Sequence, residues 1–451
     1  MNLYHLLKQR VETRRPVRVG VIGAGKFSTM FLSQVRLTPG MQLAGIAELD
    51  PQKAKEACLR AGFTDDALSF GDSAAVINDG TRTGQTILTD DSGQLIDSDI
   101  DVILEITGIP EAGAYHAWRA LEAGKHVVMV NVEADALLGP VLRKSADEKG
   151  LVYSMAYGDQ PALICELVDW AQAIGLEVVC AGKGTRYQPE YHYSTPQTVW
   201  RHYGFSEDQI ASGDYNAQMF NSFLDGTKSA IEMCAVANAT QLRPQKCGLK
   251  FPPAGLDILA DILKPELSGG ILEHSGTVEV IASENRDGTR VDRDLRWGVY
   301  VVFKAPTDYV KRCFMEYGLV TDSTGEYSAL YRPYHLIGLE LGISVASVVV
   351  RGEPTGSPQS FVADVAAVAK KELLPGNILD GEGGYTVYGR LVRAEDSLAG
   401  KYLPIGLSGK ARVTRLIPKD TVLTYDDVEV DESLFSYKLR KMVETDRGYL
   451  G

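Results

Sequence analysis

No two cysteines in this 451-residue sequence stand in CxxC spacing. The six present (Cys58, Cys165, Cys180, Cys234, Cys247 and Cys313) are scattered, so neither a zinc clip nor a thioredoxin-like motif appears, and the pattern suits a reducing cytosol. Positive charge is also in short supply. The formal net charge of −13 argues against a partner held by nucleic-acid phosphates, although a local basic pocket for a small phosphate remains compatible with it. Long apolar runs are missing. The best candidate, "HLIGLELGISVASVVV", is too short for a membrane span and carries His335 and Glu340. The opening "MNLYHLLKQRVETRRPVRVG" lacks the apolar core of a signal peptide. The expectation is a soluble cytoplasmic protein with no nucleic-acid or membrane partner.

What is there reads as an α/β protein of two to three domains. Residues 2–12 have helical apolar spacing, and from Val17 strands and helices alternate: "VRVGVIGAG", "KFSTMFLSQVRL", "MQLAGIAELD", "PQKAKEACLRAG". That order predicts a parallel sheet of the dinucleotide-binding kind. Residues 64–100, rich in Gly, Asp and Thr, read as an insertion of turns before the alternation resumes. The first domain is expected to span residues 1–160. In residues 161–365, the stretches "LEVVCAGKGT", "GTVEVIAS", "WGVYVVFKA" and "EYSALYRPY" read as strands of one open sheet with helices on one face. The helical stretch 334–351 is expected to pack back on the first domain. The tail, 366–451, carries a weak internal echo, Leu373–Pro375–Leu379 against Leu416–Pro418–Leu423, which suggests a small pseudo-symmetric β-rich module.

The first chemical motif is "VIGAGKFS". Gly23 permits the tight turn after a strand, Gly25 lets the backbone approach a pyrophosphate at a helix N-terminus, and Ser28 replaces the third glycine. With Lys26 and Phe27 these residues form the candidate cofactor cradle. An acid about 20 residues on is expected at the ribose hydroxyls. Glu48 and Asp50 are the candidates, and Asp50 before Pro51 also reads as a helix cap. Thr107, Gly108 and Asn131 stand at the ends of later strands, where such folds bind ligands.

The middle region holds a denser polar set. Asp159 follows a strand, Lys183 lies between two glycines that would give backbone access to a ligand, and Arg186 and His192 follow. "NSFLDGTKSAIEM" places Asn221, Asp225, Lys228 and Glu232, the last two on one helix face. Arg332 and His335 sit at a strand-to-helix junction, His335 reading as a proton carrier or metal ligand and equally as a core histidine.

Taken together, "VRVGVIGAGKFSTMF", "ILEITG" and "GKHVVMVNVEAD" resemble the cofactor domain of homoserine dehydrogenases, and the tail resembles the SAF domain. With "YGDQPAL", "GKGT", "FLDGTKSAIEM" and "RPYHLIGLELG" between them, nearly the whole chain resembles the DXR-like (DRL) oxidoreductases. Plain homoserine dehydrogenase fits less well, since Val132 stands where that family has lysine. The resemblance implies a type II 1-deoxy-D-xylulose 5-phosphate reductoisomerase making 2-C-methyl-D-erythritol 4-phosphate for isoprenoid biosynthesis, using NADPH and a divalent metal (Mg or Mn). An acid at Glu48 argues instead for NAD.

Such a reaction would draw on Asp159, Asp225 and Glu232 as carboxylates for the metal. Lys183, Arg186, Lys228, Asn221 and Arg332 would hold the phosphorylated substrate. Lys183, Lys228, Glu232, Asp159 and one of His192 or His335 would do the proton chemistry. A small phosphorylated sugar-like substrate and a homodimer are expected. The competing readings are an oxidoreductase acting on another sugar acid or polyol phosphate, and a non-catalytic protein that senses cofactor or sugar.

Overall fold

The computed structural model describes residues 2–212 and 215–449. They divide into two compact units, one made of residues 1–163 and 336–358, the other of 164–335 and 359–451.

In the first unit, seven strands form a parallel sheet: β1 (Val17–Ile22), β2 (Met41–Ala47), β3 (Leu68–Phe70), β4 (Thr86–Thr89), β5 (Val102–Glu105), β6 (His126–Met129) and β7 (Tyr153–Met155). Their order is β3-β4-β2-β1-β5-β6-β7, and every neighbouring pair is parallel. The order reverses at β1, so the crevice outside the carboxyl end of β1 is where such a sheet takes a ligand. Val19, Val21, Val102 and Leu104 are fully buried, as a sheet covered on both faces requires. Residues 64–100 are not an insertion of turns. They supply β3 and β4 with helices Ala74–Thr83 and Ser92–Asp97, and extend the sheet beyond β2.

The segment 336–358 completes this unit. Leu341, Val345, Ala346 and Val348 join the same core as Val19, Phe31 and Leu104. Met155 N–H donates to the Gly356 carbonyl at 2.7 Å, and Thr355 N–H to Ser154 Oγ at 2.9 Å. This is the packing expected of the helical stretch from residue 334, except that the unit begins at Leu336.

The second unit is built on a five-stranded mixed sheet. Its strands are β8 (Glu177–Thr185), β9 (Thr277–Ala282), β10 (Val299–Lys304), β11 (Val320–Thr321) and β12 (Tyr327–Arg332), in the order β11-β12-β10-β8-β9. The four expected strands are present, with two-residue β11 added at the edge. Helices cover both faces rather than one. Phe303 meets the rings of Trp170 and Phe314 at 5.6 and 5.5 Å, while Tyr300 and Val302, which point the other way, pack with Leu256, Leu259 and Leu263.

The tail adds the antiparallel pair β13 (Ala363–Ala369) and β14 (Val387–Arg393) and the short pair β15 (Arg412–Val413) and β16 (Val428–Glu429). A boundary at residue 366 would cut β13 in half, and residues 359–449 cluster with the middle region rather than apart from it. Helix Thr227–Thr240 explains why. Residues 229–238 of this helix are buried without interruption, so it has no solvent face to separate two domains. Its Asn238 accepts from the Val362 and Ala363 N–H groups at 2.9 and 3.0 Å, and its Thr227 Oγ1 accepts from Gly389 N–H at 2.8 Å. The two copies of the tail echo do meet: Leu373 and Ile417 exchange N–H···O=C bonds of 2.9 Å in both directions.

Candidate active site

At the carboxyl end of β1, Gly23 has φ +102°, and a Cβ there would lie 3.2 Å from the Ile106 backbone, so glycine is required for the turn. Gly25 caps helix Lys26–Val35 in an extended conformation with no side-chain cap bond, and a Cβ on it would meet nothing within 4 Å. The first turn of the helix thus presents N–H groups to open space, a fitting cradle for a pyrophosphate. Phe27 packs partly into the core, and Ser28 is fully buried. The close packing that a third glycine serves elsewhere is supplied from the opposite side. Gly338, at φ +70°, lies against this helix, where a Cβ would come 2.6 Å from the Phe27 carbonyl oxygen.

Glu48, at the end of β2, turns back to this loop. Its Oε2 accepts from Ala24 N–H at 2.7 Å. Asp50 takes the bland role, capping helix Pro51–Arg60 by accepting from Gln52 N–H at 3.0 Å.

The ends of β5 and β6 share a polar network. Glu105 is fully buried, and its Oε1 accepts from Thr107 Oγ1 at 2.5 Å and lies 3.3 Å from His116 Nδ1. Asn131 caps helix Val132–Glu148 through Ala134 N–H at 3.1 Å, while its Nδ2 donates to the Ile109 carbonyl at 3.0 Å. Gly113 leaves room for this: a Cβ there would sit 2.7 Å from Asn131 Nδ2. Thr107 and Asn131 therefore stand together, with Gly108 in the left-handed region between them and helix Pro110–Glu122. The pairing of His116 with Glu105 is not legible in the sequence, since a histidine on a helix and an acid at a strand end carry no local mark of pairing.

Behind these, Asp135 is buried, accepts from Tyr153 OH at 2.8 Å, and leaves Oδ2 without a partner among the described residues. Burial pushes its carboxyl up to about 7. Asp159 accepts from Gln160 N–H at 2.9 Å at the start of helix Gln160–Ala173.

In the second unit, Lys183 on β8 is 6% exposed and forms an ion pair with Glu232, 4% exposed, on helix Thr227–Thr240. Register puts Lys183, Val299 and Arg332 in one cross-strand row, hence on one face, with Lys183 and Arg332 roughly 10 Å apart. The glycines beside Lys183 do a different job from the one expected. A Cβ on Gly182 would fall 1.7 Å from the Glu279 carbonyl oxygen, and one on Gly184 would fall 2.1 Å from that of Leu295. They admit neighbouring backbone, not a ligand. Lys228 lies half-buried one turn before Glu232.

Asp225, His192 and Asn221 form a second polar knot at the start of the same helix. Asp225 is fully buried, accepts from Thr227 N–H at 2.9 Å, and faces Lys370 Nζ at 2.7 Å. Burial raises its carboxyl, and Lys370 pulls the other way. His192 contacts the Asp225 carbonyl through Nδ1 at 2.7 Å and Tyr187 OH through Nε2 at 2.9 Å, and stacks on Tyr388 at 4.5 Å. Burial lowers its pKa, so it stays neutral at neutral pH. Asn221 Nδ2 donates to the Ser194 and Gly383 carbonyls at 3.0 and 2.8 Å. Arg186 pairs with Glu284 at 2.7 Å, and Arg332 lies over the Tyr334 ring at 5.3 Å. His335 Nδ1 is 2.7 Å from the Trp297 carbonyl.

The expected metal ligands do not fit a metal. Asp225 and Glu232 each face a lysine ammonium, which takes the place a dication would occupy. Among the described residues, no three His, Cys, Asp or Glu side chains converge in a way that could hold an ion. The cradle at Gly23, Gly25 and Glu48 does fit a dinucleotide.

Residues 19–154 match the NAD binding domain of homoserine dehydrogenase, and residues 158–341 match the catalytic domain of oxidoreductase DRL. The chain carries a DRL oxidoreductase catalytic domain. The two matched stretches are those of an NAD-binding domain and of an oxidoreductase catalytic domain. The DRL match runs from Gly158 to Leu341, so it takes in Lys183, Asn221, Asp225, Lys228, Glu232 and Arg332 but stops short of the tail. The SAF resemblance has no family match behind it.

Solved structures match this chain at low identity and low TM-score. Bacillus subtilis yvaA is 13% identical over 75% of this chain and 89% of its own, with a TM-score of 0.37. Lactobacillus casei scyllo-inositol dehydrogenase is 12% identical over 64% and 73%, with a TM-score of 0.33. A Klebsiella pneumoniae NAD binding oxidoreductase is 18% identical over 40% of this chain, with a TM-score of 0.28, and the match spans only 45% of its length. No curated protein matches. No helix among the described residues is long and apolar enough to cross a membrane.

Proposed function

We propose that this chain reduces the carbonyl group of a small phosphorylated, sugar-like substrate, with Lys183 as the proton donor. The observation that carries this reading is the buried Lys183–Glu232 pair on the face of the second sheet. NAD(P)H, when bound, would supply the hydride for the carbonyl carbon. As charge develops on the carbonyl oxygen, the Lys183 ammonium donates a hydrogen bond and then a proton to it. Glu232 orients that ammonium. Lys228, one turn away, and Arg332, in the same cross-strand row as Lys183, supply positive charge for a phosphate. Gly25 and the helix behind it would hold the pyrophosphate, and Glu48, which accepts from the Ala24 amide, would meet the ribose. A carboxylate there favours NAD over NADP.

Within this class the leading substrate is 1-deoxy-D-xylulose 5-phosphate, on the strength of the resemblance to type II reductoisomerases. A second reading, plain reduction of a sugar acid or polyol-derived ketone, is favoured by the pairing of Asp225 and Glu232 with lysines. An isomerising enzyme would need those carboxylates for the metal that stabilises an enediolate. The test is loss of nicotinamide absorbance with the ketose phosphate, with each cofactor, and with and without a chelator and added Mg or Mn. Turnover abolished by the chelator and restored by metal supports the reductoisomerase. Turnover of other sugar-derived ketones alone, indifferent to the chelator, supports the second reading. No oxidation of either cofactor with any of these compounds sinks both. A homodimer is part of the proposal, and light scattering of the purified chain checks it.

A further inference from the structure

We propose that Lys370, in the tail, is a positioning residue that seats the helix carrying Lys228 and Glu232. The proposal rests on the reading that Lys183, Lys228 and Glu232 carry the chemistry.

Lys370 follows directly on β13, all seven residues of which are buried, and is itself 5% exposed. Its ammonium has three protons and three acceptors: Asp225 Oδ2 at 2.7 Å, the Ser194 carbonyl at 2.8 Å and the Gly384 carbonyl at 2.8 Å. Asp225 passes this fixation on. Its other oxygen accepts from the N–H of Thr227, the first residue of the helix, at 2.9 Å. Thr227 Oγ1 is held in turn by Gly389 N–H of β14 at 2.8 Å. The foot of the helix is therefore clamped from both sides of the tail hairpin. Glu232 lies five residues further on, about 7.5 Å along the axis. A shift or rotation at Thr227 is carried rigidly to the carboxylate that meets Lys183.

A stabilising role alone accounts poorly for this arrangement. A buried ion pair returns little net stability, because the cost of desolvating both charges offsets their attraction, and an apolar pair of similar size often serves as well. What a fully satisfied charge pair supplies is a single register. The register in question belongs to the helix on which the candidate chemistry depends.

The test uses the full chain and the double variant Asp225→Asn/Lys370→Met, which removes both charges. Lys370→Met alone strands a buried carboxylate and is expected to unfold. Four quantities are measured: the unfolding midpoint, NAD(P)H affinity, kcat and KM separately, and the rate at which an amine-acylating reagent labels Lys183, read by peptide mass spectrometry. The expected result is a folded protein with unchanged cofactor affinity. Its kcat falls by at least about tenfold while KM moves by less than about twofold, because small misplacements of reacting groups are costly. Its Lys183 labels faster, because Glu232 no longer seats on it. A folded double variant with wild-type kcat and wild-type labelling overturns the proposal. So does a double variant that cannot fold, which would make the pair purely structural. If the wild-type chain turns nothing over, labelling still decides: faster labelling supports positioning by Lys370, unchanged labelling overturns it, and the failure of turnover falls on the proposed function.

Discussion

The Glu48 carboxylate lies on the Ala24 backbone, with Oε2 accepting from the amide N–H at 2.7 Å. That bond holds a negative charge at the mouth of the glycine loop, where a 2′-phosphate would have to approach. The wild-type chain is expected to bind NADH at least about tenfold more tightly than NADPH, a difference of roughly 1.4 kcal/mol. Glu48→Ser should narrow or reverse the gap. Fluorescence titration with both cofactors checks this, and equal affinities in the wild type would remove Glu48 from the ribose site.

The double variant Lys183→Met/Glu232→Gln, which leaves no buried carboxylate unpaired, should abolish the proton-donor role while sparing cofactor binding. A general acid is worth about 10²- to 10⁴-fold in rate. Turnover is therefore expected to fall by at least about a hundredfold with NADH affinity unchanged. A folded double variant with wild-type turnover would return the Lys183–Glu232 pair to a purely structural role.

Glycines in the two halves should respond in opposite ways. Gly25→Ala places its methyl in open space and should leave stability unchanged to within about 0.5 kcal/mol, yet weaken NADH binding by about tenfold or more. Gly182→Ala drives a methyl into the Glu279 carbonyl and should cost at least about 2 kcal/mol. Urea unfolding and cofactor titration of both variants make the comparison. A destabilised Gly25→Ala, or a Gly182→Ala as stable as wild type, would contradict the respective backbone roles.

Asp135 makes stability depend on pH. Its carboxyl, raised from the ordinary 3.8 to about 7 by burial, holds its proton more tightly in the folded chain than in the unfolded one. Its contribution is fully present below about pH 4 and declines as pH rises to about 7, by roughly 1.4 kcal/mol per pH unit. Asp135→Asn cannot ionise and should lose that decline. The urea midpoint of the variant relative to wild type should therefore be higher at pH 8 than at pH 5. A difference that stays constant between the two would place the Asp135 titration elsewhere.

The nucleotide-binding half was largely readable because its signals are local. The glycine turn after β1, Pro51 and Asp50 opening a helix, and the buried runs of β1 and β5 all lie within a few residues of one another. β3 and β4 were missed because three and four residues are too few to show a strand period amid Gly, Asp and Thr. The glycines flanking Lys183 accommodate backbone from β9 and from Leu295, far away in sequence, which no local pattern reveals. Lys370 escaped altogether. A lysine after "ADVAAVA" looks like the solvated end of a strand, and only the tertiary fold brings Asp225, Ser194 and Gly384 around it. Nor could the separate tail domain be tested from sequence, because the helix that unites it with the middle region lies more than 120 residues upstream of β13.

The return of residues 336–358 to the first unit has a consequence for how the protein is made. Leu341, Val345, Ala346 and Val348 fill a core whose other members lie within the first 156 residues. On the ribosome, the nucleotide-binding half is therefore complete in strands long before it is complete in packing. It must wait, with that apolar surface open, until some 180 further residues have been synthesised. The early part of the nascent chain is thus exposed to aggregation throughout the synthesis of the second unit's middle region. Truncated transcripts ending before Pro358 should yield chaperone-bound or insoluble chains rather than a free cofactor-binding fragment.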